Sequence, residues 1–126
     1  MAESVTDMPP FLEKTRWINE NDHAVALRDE YAVSPGHTLI VPKRVVSSIF
    51  ELSDSEFLAC WQLVKEEKRR LEEELSPDGF NIGVNVGASA GQTIFHAHIH
   101  LIPRFKGDHP SPRGGVRAVI PGKASY

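Results

Sequence analysis

From Phe95 to Leu101 apolar and histidine positions alternate strictly, in the run Phe95-His96-Ala97-His98-Ile99-His100-Leu101-Ile102. A β-strand turns successive side chains to opposite faces. The run therefore predicts a strand over 94–104, with Ala97, Ile99 and Leu101 in a core and three imidazoles on the other face. Shorter runs predict strands over 16–19 and 23–28, joined by the turn Glu20-Asn21-Asp22. Another strand is predicted over 37–41, after the turn-forming pair Pro35-Gly36, and one over 80–86. A short helical segment is predicted near 45–50. Ser53-Asp54-Ser55-Glu56 matches a capping box. It opens a long helix in which Phe57, Trp61, Val64, Leu71 and Leu75 recur on one side, and Ser76-Pro77-Asp78-Gly79 stops it. The charged stretch 65–74, with Glu66 four residues before Arg70, reads as a solvated face with helical ion pairs. Strands outnumber helices and are linked by hairpins, which predicts an α+β domain on an antiparallel sheet.

Composition narrows the setting. With 126 residues the chain supports one core, and its net charge of −3 indicates no general nucleic-acid surface. The single cysteine, Cys60, excludes an internal disulfide and any Cys-x-x-Cys zinc site, and its apolar helical surroundings predict simple packing. The first residues lack a basic stretch followed by an apolar one, and no segment is long and apolar enough for a membrane helix. A cytoplasmic location is the expectation. Residues 1–10, ending in Pro9-Pro10, read as a flexible arm, 11–106 as the domain, and 107–126 as a tail of loop composition. The tail holds His109, Arg113 and Arg117 and is expected to be either loosely docked or a cover over an active site or a partner subunit.

Three aligned imidazoles call for chemistry. Neutral imidazole is a nucleophile and base near pH 7, and it is also the commonest metal ligand. Neighbouring histidines disfavour one another's protonation, so the row stays largely neutral. Upstream, Asn85-Val86-Gly87-Ala88-Ser89-Ala90-Gly91-Gln92-Thr93 is a small-residue loop without an acid. Such a loop lets backbone N–H groups approach an anion, and Gln92 and Thr93 add donors. This favours a phosphate site over a metal site. His37, at the start of a strand, is placed for a sheet partner to bring it beside the row.

These motifs resemble the histidine-triad (HIT) family. Residues 96–102 fit its pattern His-φ-His-φ-His-φ-φ (φ apolar), and residues 35–43 and Gly91-Gln92-Thr93 extend the match. The likeness covers about residues 16–106. Gly91-Gln92-Thr93 and Leu101-Ile102-Pro103-Arg104 are closest to the fragile-histidine-triad and bacterial dinucleoside polyphosphate hydrolase branch. His100 stands where the uridylyltransferase branch has glutamine.

The resemblance implies a five-stranded antiparallel sheet with one long and one short helix, and a homodimer. It implies His98 as the nucleophile that takes a nucleotidyl group, with His96 on the phosphate and leaving-group side. His100 and His37 support and orient His98. Gln92, Thr93 and Asn85 hold phosphate oxygens, and Asp29 binds the ribose hydroxyls. Ile18 and Leu27 are the expected base contacts, chosen from a set that also included Phe11 and Trp17. The substrate would be a purine nucleotide or dinucleoside polyphosphate, with neither nucleic acid nor membrane as a partner. No cofactor or metal is called for, any Mg²⁺ arriving on the polyphosphate. A purine-nucleoside phosphoramidase and a nucleotide-binding sensor with weak catalysis are the alternatives. A metallohydrolase is the remaining one.

Overall fold

The computed structural model describes residues 10–126. The expectation of a flexible arm over 1–10 falls outside them except for Pro10, which opens a 3₁₀ turn, Pro10–Leu12.

Five strands form one antiparallel sheet: β1 (Trp17–Glu20), β2 (Ala24–Arg28), β3 (Thr38–Pro42), β4 (Gly79–Gly83) and β5 (Ile99–Arg104), in the order β1-β2-β3-β5-β4. The α+β class and the five strands agree with the sequence reading. The β1–β2 turn is closed by Asn21, whose side-chain oxygen accepts the N–H groups of His23 (3.0 Å) and Ala24 (2.9 Å). Gly36 has φ +82°, a conformation that side chains rarely adopt, so the turn into β3 needs glycine there.

The single α-helix among the described residues, α1 (Asp54–Leu75), begins with the expected capping box. Ser53 Oγ accepts the Glu56 N–H at 3.2 Å, and the Glu56 carboxylate accepts the Ser53 N–H at 2.9 Å. The short helical segment is a 3₁₀ turn at Ile49–Glu51, slightly later than predicted and capped by Ser48. Against α1 the sheet presents Ala24, Ala26, Ile40, Ile99 and Leu101, which pack on Cys60, Leu63, Val64 and Leu71. Burial pushes the Cys60 thiol up to about 11. On the opposite face Val25, Leu27, Leu39 and Val41 pack under Phe11 and Trp17. Both faces are covered, so β2 and β3 read as continuous apolar runs.

The charged stretch 65–74 is less solvated than expected. Glu67 is fully buried between α1 and β1, where Asn19 Nδ2 and Arg70 Nη1 each donate to its Oε2 at 2.9 Å. Arg70 thus pairs with Glu67 and Glu74 instead of Glu66. The tail 107–126 carries a 3₁₀ segment, Gly115–Val119.

Candidate active site

β5 begins at Ile99, five residues later than predicted, because the chain ahead of it leaves the ladder. The Ala97 N–H donates instead to Val46 O at 2.7 Å. The alternation nevertheless persists. Ala97, Ile99 and Leu101 are all buried, and Phe11 packs against both His96 (centroids 5.7 Å) and His98 (5.0 Å).

Each imidazole has a distinct hydrogen-bonding position. His96 is only 2% exposed, and its Nε2–H donates to Pro42 O at 2.7 Å. Its Nδ1 is buried with no partner among the described residues. Burial holds its pKa down, opposed by the Pro42 carbonyl and aided by His98. His98 Nδ1–H donates to its neighbour's carbonyl, His96 O, at 2.8 Å. A carbonyl can only accept, so this bond fixes the tautomer and leaves the Nε2 lone pair free. The His98 ring lines a cavity of about 250 Å³ together with Phe11, Asp29, Leu39, Thr93 and His100.

His37 completes the cluster. The Val33 N–H donates to His37 Nδ1 at 3.2 Å, which places the ring proton on Nε2. That proton faces His100 Nδ1 at 3.0 Å and Asp29 Oδ2 at 3.3 Å. Burial lowers the pKa of His37, with the Asp29 charge opposing it. Burial, then the neighbouring His98 and His37, push His100 down to about 4 against the pull of Asp29. His37 thus donates to His100 Nδ1, and His100 is left to present its Nε2–H.

Asp29, His37 and His100 also bring three potential ligand atoms within 4.8 Å of one another. The donor chemistry does not fit a cation. With Val33 N–H facing Nδ1, His37 Nε2 carries hydrogen and has no lone pair to offer. A metal-binding tautomer would set two N–H donors against each other.

The loop ahead of the triad turns at Gly87 (φ +93°) and Gly91 (φ +94°). Gln92 is buried inside it. Its Oε1 accepts the Gly87 N–H at 2.9 Å, and its Nε2 donates to Ser47 O (2.7 Å) and Ile94 O (3.1 Å). Both amide hydrogens are donated to backbone, so the Gln92 amide braces the loop, and Gln92 also lines the cavity where the sequence reading expects it against phosphate. Thr93 and Asn85 are exposed and line the cavity. Asp29 lies there too, with Oδ1 accepting the Tyr31 N–H at 2.8 Å.

Three other expectations change. His96, expected on the leaving-group side, is sealed beneath Phe11 and reaches the cavity only through its carbonyl bond to His98. Leu27 is fully buried in the sheet core and does not line the cavity. Ile18 packs on the helix side of the sheet, where a β-bulge between Trp17 and Asn19 also turns Asn19 toward Glu67.

The apolar wall belongs instead to Phe11 and Leu39, and Arg16 and Tyr31 also line the cavity. Phe11 belongs to the set from which Ile18 and Leu27 are chosen in the sequence. It is held in place by its carbonyl, which accepts Trp17 Nε1–H at 2.9 Å, and by Arg16, which donates to Pro10 O at 3.0 Å. Leu39 had a readable signal: it lies two residues after His37, on the same strand face, and pairs with His100.

Comparison with known proteins agrees with this architecture. A HIT-family protein from Bacillus anthracis, solved as a crystal structure, superposes with a TM-score of 0.70 at 37% identity, covering 73% of this chain and 65% of that one. Bis(5'-adenosyl)-triphosphatase of Dictyostelium discoideum is 41% identical over 76 residues, 60% of this chain and 51% of the relative. AP-4-A phosphorylase of Mycobacterium tuberculosis is 32% identical over 109 residues, 85% of this chain and 56% of the relative. The chain spans about three fifths of the length of the first curated relatives it matches. The HIT domain model matches residues 12–107, and on that match the chain belongs to the histidine-triad family.

Proposed function

We propose that the protein hydrolyses dinucleoside polyphosphates through a nucleotidyl-histidine intermediate on His98. The observation that carries this reading is the bond from His98 Nδ1–H to His96 O, which makes Nε2 the lone-pair nitrogen of the neutral ring, on a side chain lining the cavity. Neutral nitrogen avoids the repulsion that polyphosphate oxygens exert on anionic nucleophiles.

In the first step Nε2 bonds to the α-phosphorus and the bridging P–O bond breaks. The second nucleotide departs with the electron pair and takes up a proton. In the second step water attacks the same phosphorus and the N–P bond breaks. Water's proton is released, and a nucleoside monophosphate leaves with His98 neutral again. Thr93 and the Nε2–H of His100 are the donors for the phosphate oxygens, with Asn85 at the rim. Asp29 takes the ribose hydroxyls, and Phe11 and Leu39 supply the apolar slot for a purine. None of these steps calls on a protein-bound metal, and Mg²⁺ enters with the substrate. A cytoplasmic homodimer completes the proposal.

The test offers diadenosine tetraphosphate and adenosine phosphoramidate together. Release of adenylate and adenosine triphosphate, abolished in His98→Ala, is the expected result. Preferential P–N cleavage would reassign the protein as a phosphoramidase with the same nucleophile. Turnover that survives His98→Ala would overturn the mechanism, and tight binding with negligible turnover would favour a nucleotide sensor.

A further inference from the structure

Asp29 is tied to His37 twice. Its N–H donates to His37 O at 3.0 Å, and its Oδ2 lies 3.3 Å from His37 Nε2. The backbone bond closes the loop between them and holds carboxylate and imidazole side by side, with the Asp29 side chain 15% exposed and that of His37 3%. His100 Nδ1 stands 3.0 Å from His37 Nε2 and 3.9 Å from the same Asp29 oxygen. His37 therefore has one hydrogen on Nε2 and two acceptors in reach of it. The imidazole nitrogen of His100 is the nearer, and the Asp29 carboxylate, being charged, is the stronger.

The two acceptors compete for that hydrogen. The share that goes to Asp29 is lost to His100, and with it the bond that keeps His100 in the Nε2–H form. Asp29 also has acceptor capacity left for a ligand. Its Oδ1 takes the Tyr31 N–H at 2.8 Å, and a carboxylate offers about four lone-pair sites, so room remains for a pair of hydroxyls. Each hydroxyl that donates to the carboxylate draws on its charge and weakens its hold on the His37 hydrogen, because hydrogen bonds at one group polarise one another.

We propose that Asp29 is a positioning residue that turns ribose binding into donor strength at His100, so that nucleotides with a 2′,3′-diol are preferred in the chemical step itself. The inference rests on the hydrolase reading above, in which Asp29 takes the ribose hydroxyls and His100 donates to phosphate. With the diol on Asp29, the His37 hydrogen belongs to His100 Nδ1, and His100 Nε2–H is held as a donor for the phosphate oxygens. Without the diol, Asp29 keeps its share and the donor is weaker.

The experiment follows the imidazole nitrogens of the wild type by NMR with adenylate and with 2′,3′-dideoxyadenylate, which share base and phosphate. Adenylate should set His100 in the Nε2–H form, and the dideoxy compound should leave its nitrogen signals intermediate. In kinetics, diadenosine tetraphosphate is compared with its analogue lacking both hydroxyls on each ribose. The analogue should lose roughly tenfold in kcat, less than the ~10²–10³ that follows outright removal of such a donor. Asp29→Asn keeps the shape without the charge and should bring both substrates to one kcat. Identical His100 signals with the two nucleotides would overturn the proposal. So would an analogue that raises KM at the wild-type kcat, since Asp29 would then only bind. Wild-type protein that cleaves neither substrate would remove the hydrolase reading, while the His100 signals, which need binding alone, would still decide the coupling.

Discussion

His37 Nε2 lies 3.0 Å from His100 Nδ1, and a third residue decides the direction of that hydrogen bond. Val33 donates its N–H to the far side of the His37 ring, so His37 must donate to His100. Removing the donor should be felt twice. His37→Ala empties a buried site and strands His100 Nδ1, and we expect a loss of about 2–4 kcal/mol in urea unfolding. Proton uptake by His100, followed by NMR, should move up from about 4, because His37 is one of the groups holding it down.

The same histidines make stability depend on pH. The folded pKa values of His37, His96 and His100 all lie below the ordinary value of about 6.5. Below that value the unfolded chain binds protons that the folded chain refuses, so acid favours unfolding. Stability should be full above about pH 6.5 and decline as pH falls toward 4. His100 alone should contribute on the order of 2–3 kcal/mol to this decline. Urea midpoints measured from pH 4 to 8 check the slope. A flat profile, or one rising toward acid, would contradict the buried neutral cluster.

Gln92 offers a test of bracing against direct contact. Its amide is spent on Gly87, Ser47 and Ile94. Gln92→Ala should therefore loosen the loop and misplace Thr93, lowering kcat by about 10–100-fold with KM little changed. A rise in KM at constant kcat would instead place the amide on the substrate.

Gly36 couples the turn to the site. An added Cβ would stand 2.7 Å from Leu71 Cδ2 and 2.8 Å from Leu75 Cδ1, in a backbone conformation that alanine resists. Gly36→Ala should cost about 2–4 kcal/mol by thermal or urea unfolding, from strain and crowding together. It should also disturb the adjacent His37.

The buried Glu67 should respond asymmetrically. Arg70→Met leaves a carboxylate buried with only Asn19 as partner and should destabilise by about 1–3 kcal/mol, moderated by the half-exposed position of Arg70. Glu67→Met removes the charge and should be close to neutral. Paired urea curves settle the comparison.

Features governed by neighbours in sequence were legible without coordinates. The capping box at Ser53 and Glu56 is local chemistry, as is the glycine at position 36. The burial of Ala97, Ile99 and Leu101 follows from a period of two, which survives even where the strand does not. The identities of His98, His37 and the loop of Asn85 to Thr93 could be picked out because their residue types carry chemistry on their face.

Other features arise only when distant segments meet. Phe11 becomes a cavity wall only because Trp17 and Arg16 grip residues 10 and 11 over the triad. Ile18 and Leu27 looked like slot residues until a β-bulge and a covered sheet face put them elsewhere. Glu67 read as one charge among many, and only the crossing of α1 over β1 buried it. Gln92 was read as a donor to phosphate, and its amide was claimed by the carbonyls of Ser47 and Ile94. Local spacing thus determined which residues are chemically able and which face of a strand they share. Tertiary packing decided which of their hydrogen-bonding atoms remain free, because that depends on which distant backbone groups arrive first.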